Sequence, residues 1–146
     1  MSSNKTHRKK AREAAFLTLF ATAFDKTAEL EGCDKEALQQ LTVELLETED
    51  SSYTDLLVQG VKENELRLDA AYIPFLGKGW RPERLSRVSR ILLRLAVFEL
   101  TQGQDIEPEI AVFESVELCK KYADPKEVGF LNGVLRSFLR DKEGQA

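Results

Sequence analysis

The sequence predicts an all-α protein. Apolar residues recur at three- and four-residue spacing along most of the chain, prolines and acids stand where helices begin, and no segment alternates with period two over a convincing length. A chain of 146 residues is the size of one ordinary domain, and 42% apolar residues are enough to bury a core.

The elements follow in order. Phe16, Phe20 and Phe24 recur every four residues beside Leu17, Leu19 and Ala23, which predicts a first helix over 6–24. A second starts at Asp34 and carries Leu38, Leu41 and Leu45. After the acidic break "ETEDSS" (47–52), Ser51 or Ser52 caps a longer helix bearing Leu56, Leu57, Gly60, Val61, Leu66 and Leu68. Pro74 bends or restarts the chain before "GKG" (77–79). Pro82 is placed in the first turn of a helix running to about residue 102, whose stretch "ILLRLAVFEL" (91–100) is apolar nearly all round and so predicts the central helix. Pro108 opens the next helix, with Ala111, Val112, Val116, Cys119 and Ala123 on its core face. Asp124, Pro125 and Glu127 read as N-cap, first-turn proline and capping-box acid of a last helix that buries Val128, Leu131, Val134, Leu135 and Phe138. The ends, 1–4 and 143–146, read as loose.

No apolar run approaches the ~20 residues that cross a bilayer, and no secretion signal is legible, so neither a membrane nor export is expected. Cys33 and Cys119 stand far apart with one histidine in the chain, which gives no zinc spacing and makes a reducing cytoplasm the simplest compartment. "GKG" lacks the spacer and the Ser/Thr of a phosphate loop, and no dinucleotide fingerprint occurs. His7 is the only histidine base, and the carboxylates fall mostly on polar helix faces. The reading is a binding protein, not an enzyme, with no cofactor and no metal.

Charge indicates where binding occurs. The net charge is −4, yet residues 1–12 hold five cations and no acid, leaving the rest of the chain at −9. An acidic body with one basic end binds phosphate there and avoids nonspecific contact elsewhere; the alternative is a solvated tail. His7, Arg8, Lys9, Lys10 and Arg12 are expected in the first turns of the first helix, where free N–H groups favour phosphate. On the last helix Phe130 falls outside the apolar arc, beside Lys126, Gly133 and Ser137. There it stacks a base or packs on a neighbouring helix. Gly129 and Gly133, costly in a helix, indicate close approach by another backbone or by a ligand. Asn132 either bonds a base edge or ties two helices together. Arg84, Arg87, Arg90 and Arg94 form a weaker basic candidate, better read as a solvated or salt-bridged flank.

"RKKAREAAFLTLF", "DLLVQGV", "ILLRLAVFEL", "AVFESVELCKKY" and "GFLNGVL" resemble, in order and spacing, the NusB transcription antitermination family, over roughly residues 7 to 140. The resemblance implies about seven helices in two small bundles within one RNA-binding domain over 1–146, the first over about 6–70 and the second over about 72–142. It implies a protein that catalyses no reaction. Such a protein binds boxA RNA of ribosomal RNA leader transcripts together with the small-subunit ribosomal protein NusE, and joins other Nus factors on RNA polymerase. Carried over by position, the family's basic RNA-contacting opening falls on Arg8, Lys9, Lys10 and Arg12, and its motif aromatic on Phe130. A family tyrosine corresponds to Phe75, which lacks the hydroxyl. Where the family usually reads Ile-Asn-Glu, this chain has Val112-Phe113-Glu114. Some members pair with themselves, and an exposed Phe113 or Trp80 would serve such a homodimer. On this reading the basic patch, held by the apolar helix, meets single-stranded RNA beside the ring at position 130.

Two other readings stand beside it. One is the RNA-binding module of an rRNA cytosine methyltransferase, which needs a second, cofactor-binding domain. The other is a protein-binding helical adaptor, for which RNA would have no effect with or without the ribosomal protein.

Overall fold

The computed structural model describes residues 2–24, 35–46, 52–78, 80–102 and 106–144. Among them the chain forms α1 (Ser2–Phe24), α2 (Lys35–Leu46), α3 (Ser52–Glu63), α4 (Glu65–Tyr72), α5 (Arg87–Thr101), α6 (Pro108–Tyr122) and α7 (Pro125–Gly144). Single 3₁₀ turns occupy Ile73–Phe75 and Pro82–Arg84, and no strand occurs among the described residues. The expectations placed on Cys33, the cap at Asp34, the acidic break at 47–51, Gly79, residues 1 and 145–146, and the side chains of Ala23, Phe24, Leu38 and Leu45 lie outside the described residues, while the ends expected to be loose at 2–4 and 143–144 are helical instead. No helix among those described is long and apolar enough to cross a membrane. The chain divides into two compact units, Met1–Gly60 and Val61–Ala146, the division falling within α3.

In the first unit α1 packs against α2. The predicted stripe on α1 is buried at Phe16, Leu17 and Leu19, with Ala11, Ala14, Ala15 and Ala21 filling the same layer. The Phe16 and Phe20 rings stack with centroids 5.7 Å apart. Thr18 and Thr22 interrupt the apolar run at little cost, because each hydroxyl donates to a carbonyl one turn back: Thr18 to Ala14 at 2.8 Å and Thr22 to Thr18 at 3.1 Å. Thr54 of α3, itself buried, donates to the Ala11 carbonyl at 3.1 Å.

The expected long third helix is two helices. At Asn64 the backbone leaves helical geometry (φ −124°, ψ 20°), and Asn64 N–H turns back to the Val61 carbonyl at 3.2 Å. Asparagine competes with helix continuation through local bonding. The break rotates Leu66 out to 87% exposure, while Leu57, Val61 and Leu68 stay buried. Leu56, expected with them, is also exposed.

The second unit is organised by α5, which packs against α4, α6 and α7. Ile91, Leu92, Leu93, Leu95, Ala96, Val97, Phe98 and Leu100 are all buried, as an all-round apolar helix requires. Its start differs from the expectation. Pro82 opens only a 3₁₀ turn, and Ser86, in extended geometry, caps α5 by accepting from Ser89 N–H at 3.1 Å. Pro74 likewise sits in the turn that ends α4. Phe75 from that turn meets Phe138 of α7 edge to face, centroids 5.8 Å apart. Lys142 of α7 donates to the Leu100 carbonyl near the C-terminus of α5.

One cation lies within the apolar stretch of α5, and it is paired. Arg94 Nε and Nη2 each donate at 2.9 Å to the two oxygens of Asp69 on α4, a bidentate fork 17% and 16% exposed on its two sides. That hydrogen bonding raises the Arg94 pKa above its ordinary value, against the opposing effect of burial. Tyr72 is buried beside the pair; burial first, then the Asp69 carboxylate, raise its pKa. Asp69→Ala leaves the Arg94 charge without its bidentate partner in a largely dry place and is expected to lower stability by roughly 2–3 kcal/mol. Glu65→Ala, which removes only the 3.9 Å contact from a half-exposed carboxylate, should cost less than about 1 kcal/mol. Urea unfolding midpoints of the two variants check this ordering.

Candidate nucleic-acid interface

The basic run on α1 is sorted by helix geometry. Lys9 and Lys10 are exposed, whereas Arg8 and Arg12, one turn apart on the same face, turn inward. The Arg8 guanidinium lies over the Tyr53 ring of α3, 4.7 Å from its centroid, in a cation–π contact. Arg12 is only 3% exposed and belongs to the packed layer. His7 stands on α1; its side chain lies outside the described set. Because α1 begins at Ser2, its free N–H groups precede the basic run. The expectation that these cations sit in the first turn, against the helix dipole, is therefore corrected: residues 2–6 contain no breaker, and the helix extends upstream through them.

On the second unit α7 carries Lys126, Phe130 and Asn132, which divide between two hollows. Phe130 is half-buried and packs against the 47%-exposed Trp80, ring centroids 4.9 Å apart and planes tilted by 36°. The pair lines a hollow of about 520 Å³ together with Arg84, Leu85, Ser86, Lys126 and Glu127. Trp80 is presented by a turn in which Gly77 adopts φ +98°, a conformation that favours glycine, and Trp80 N–H donates to the Gly77 carbonyl at 3.3 Å. That is the structural use of the first glycine of "GKG". Two aromatic faces beside two exposed cations have the chemistry to stack a planar ring and attract an anion.

Asn132 is about 160° around α7 from Phe130 and lines a different hollow, of about 440 Å³, with Glu109, Arg136, Leu139, Arg140 and Glu143. Its side-chain oxygen accepts from Arg136 Nε at 3.4 Å, and Arg136 pairs with Glu109 of α6, so Asn132 joins a link between α6 and α7. Phe130 and Lys126 are thus brought together, while Asn132 and Phe75 point elsewhere. Gly129 and Gly133 are exposed, and a Cβ built on either meets nothing within 4 Å. Among the described residues no other backbone comes that close, against the half of the expectation that looked for one. Arg94 is salt-bridged, as the flank reading has it, whereas Arg84 is exposed at the aromatic hollow. Phe113 is 55% exposed.

Beneath the hollow lies a hydroxyl–carboxylate cluster. The capping-box expectation for Glu127 is corrected here. Asp124 does cap α7, accepting from Lys126 N–H at 2.9 Å, but the Glu127 carboxylate turns to α5 and accepts from the hydroxyls of Ser86 and, at 2.8 Å, Ser89. Cys119 of α6, fully buried, has its thiol pKa pushed up to about 11 by burial first and then by the Glu127 carboxylate, with the Ser89 hydroxyl opposing. Among the described residues no group of three or more His, Cys, Asp or Glu is placed to hold a metal ion.

The sequence profile of the NusB family matches residues 9–140. A transcription antitermination protein NusB from Latilactobacillus sakei is 38% identical over 136 residues, which are 91% of this chain and 96% of that protein. The chain belongs to the NusB family. Solved structures agree in fold. NusB of T. maritima is 32% identical with a TM-score of 0.72, over 91% of this chain and 90% of that one. A crystal structure of the antitermination factors NusB and NusE in complex with double-stranded RNA is 31% identical with a TM-score of 0.71, over 93% and 98%.

For this NusB-family chain, sequence reasoning did not place Trp80 and Arg84 at the aromatic hollow, and it put Glu127 in the right helix but turned its carboxylate to that helix's own cap instead of to the start of α5. The available signals were a single tryptophan next to a glycine turn and two serines in "SRVS" (86–89) at capping spacing. The Cys119 shift has a pH consequence. The unfolded thiol ionises near pH 9 and the folded one only near 11, so this contribution is full below pH 9 and is lost as pH rises from 9 to 11. Urea midpoints measured across that interval should fall by an amount equivalent to roughly 2–3 kcal/mol more in the wild-type chain than in Cys119→Ala.

Proposed function

We propose that this chain is a transcription antitermination factor that binds boxA-type RNA together with the ribosomal protein NusE and acts with other Nus factors on RNA polymerase, catalysing no reaction. The observation that carries the RNA-contacting assignment is the Trp80–Phe130 pair in a hollow rimmed by Arg84 and Lys126. Stacking suits unpaired bases, whose faces are free, and the flanking cations supply backbone attraction. The family relative crystallised with NusE and double-stranded RNA supports both partners.

The contacts are assigned in two groups. Arg8, Lys9 and Lys10 on α1 meet phosphate, with His7 beside them and Arg12 holding the helix from its packed side. Phe130, Trp80, Lys126 and Arg84 form the base-stacking group. Phe75 acts through Phe138, and Asn132 through Arg136, rather than at the stacked base. No membrane enters this reading, which places the chain in the cytoplasm with the transcription machinery. A homodimer would use the exposed Phe113.

Titration of a boxA-type RNA oligonucleotide with the ribosomal protein present, at several salt concentrations, separates the groups. Lys9→Ala and Lys10→Ala should each weaken binding to every RNA and flatten the salt slope by about 1 for each phosphate left without its cation. Phe130→Ala should cost about 1–3 kcal/mol of binding with the slope nearly unchanged. Retention of wild-type affinity by all three variants would defeat the assignment.

A further inference from the structure

The Trp80–Phe130 hollow is built from two stretches of chain that are remote in sequence. Trp80 lies on the segment that enters α5, six residues before the cap Ser86. Phe130 lies on α7, three residues after Glu127. Glu127 joins the two, because Ser86 and the fully buried Ser89 both donate to its Oε1 atom. Ser86 at the same time accepts from Ser89 N–H, so one carboxylate oxygen organises both hydroxyls at the start of α5. The position suits an anion. Glu127 is in the first turn of its own helix and abuts the first turn of α5, so two positive helix ends face it.

We infer that Glu127 is the positioning residue of the hollow: by tying the first turn of α7 to the first turn of α5, its carboxylate sets the distance between the Trp80 and Phe130 rings. A capping-box role would turn the same side chain back on α7 and leave α5 untouched. The link to RNA affinity rests on the function proposed above; the link to ring geometry does not.

The chain contains one tryptophan, so its fluorescence reports this hollow alone. Acrylamide quenching is measured on the isolated protein, and RNA affinity with the ribosomal protein added. Glu127→Ala should raise quenching of Trp80 and weaken RNA binding roughly fivefold or more, about as much as Phe130→Ala. The double variant Glu127→Ala/Phe130→Ala should bind no more weakly than Phe130→Ala, since both changes remove the same stack. Glu127→Gln keeps an oxygen that accepts from both hydroxyls and should restore both readouts. Unchanged quenching in Glu127→Ala, or reductions of affinity that add in the double variant, would overturn the inference. Should Glu127→Ala not fold, Ser89→Ala removes one donor, and a failure of that variant to raise quenching overturns it equally. If Phe130→Ala leaves RNA binding intact, the proposed RNA site fails, and quenching alone still decides the role of Glu127.

Discussion

Burial of α5 is the constraint from which the second unit follows. A helix whose stretch 91–100 is apolar nearly all round has no stable place at a surface, so α4, α6 and α7 wrap it. Wrapping brings polar groups under cover, Glu99 among them, and at two places a carboxylate of a neighbouring helix receives them. Arg94 lies within the apolar stretch, and its charge is tolerable only because Asp69 offers both carboxylate oxygens at 2.9 Å. The start of α5 carries N–H groups and hydroxyls into a half-buried layer, and Glu127 from α7 receives the hydroxyls. Both solutions join α5 to a neighbour through a carboxylate, so the same groups that meet the polar requirement also fix helix positions.

The candidate interface is a by-product of this order. α7 gives its apolar side to α5 and α6, and Phe130 comes to the edge between buried and exposed. There it is half covered by Trp80, which is carried by the glycine turn that precedes α5. A ring fully inside would offer no face to a base, and a ring fully outside would have no fixed orientation. The first unit makes a comparable division, with Phe16, Leu17 and Arg12 inside and Lys9 and Lys10 outside.

Much of the fold was legible in the sequence because burial periodicity is a strong signal. The α5 core, the prolines opening α6 and α7 and the faces around Phe16 and Leu131 all follow from spacing. What was not legible depended on local backbone geometry or on a partner remote in the chain. Asn64 ends a helix that apolar spacing would continue through Leu66. Pro82 allows a helix, but Ser86 is the better cap four residues later. Glu127 has capping-box spacing on its own helix, and only the fold brings the serines of α5 within reach. In the candidate site, sequence placed Phe130 off the core face, yet could not see that Trp80 packs against it, or that Asn132, two residues on, faces a separate hollow.

The inward turn of Arg12 bears on how the protein presents itself to a polyanion. Five cations are written into the first dozen residues, but a polyelectrolyte responds only to those whose counterions it can displace. Arg12, withdrawn into the packed layer, holds no diffuse ion cloud to surrender, and Arg8 has its guanidinium spread over a tyrosine. The valence available for long-range attraction is therefore smaller than the formal tally. Lys9 and Lys10 are left as the short charged row at the surface, and on the proposed reading such a row gives an encounter that is gentle and easily reversed.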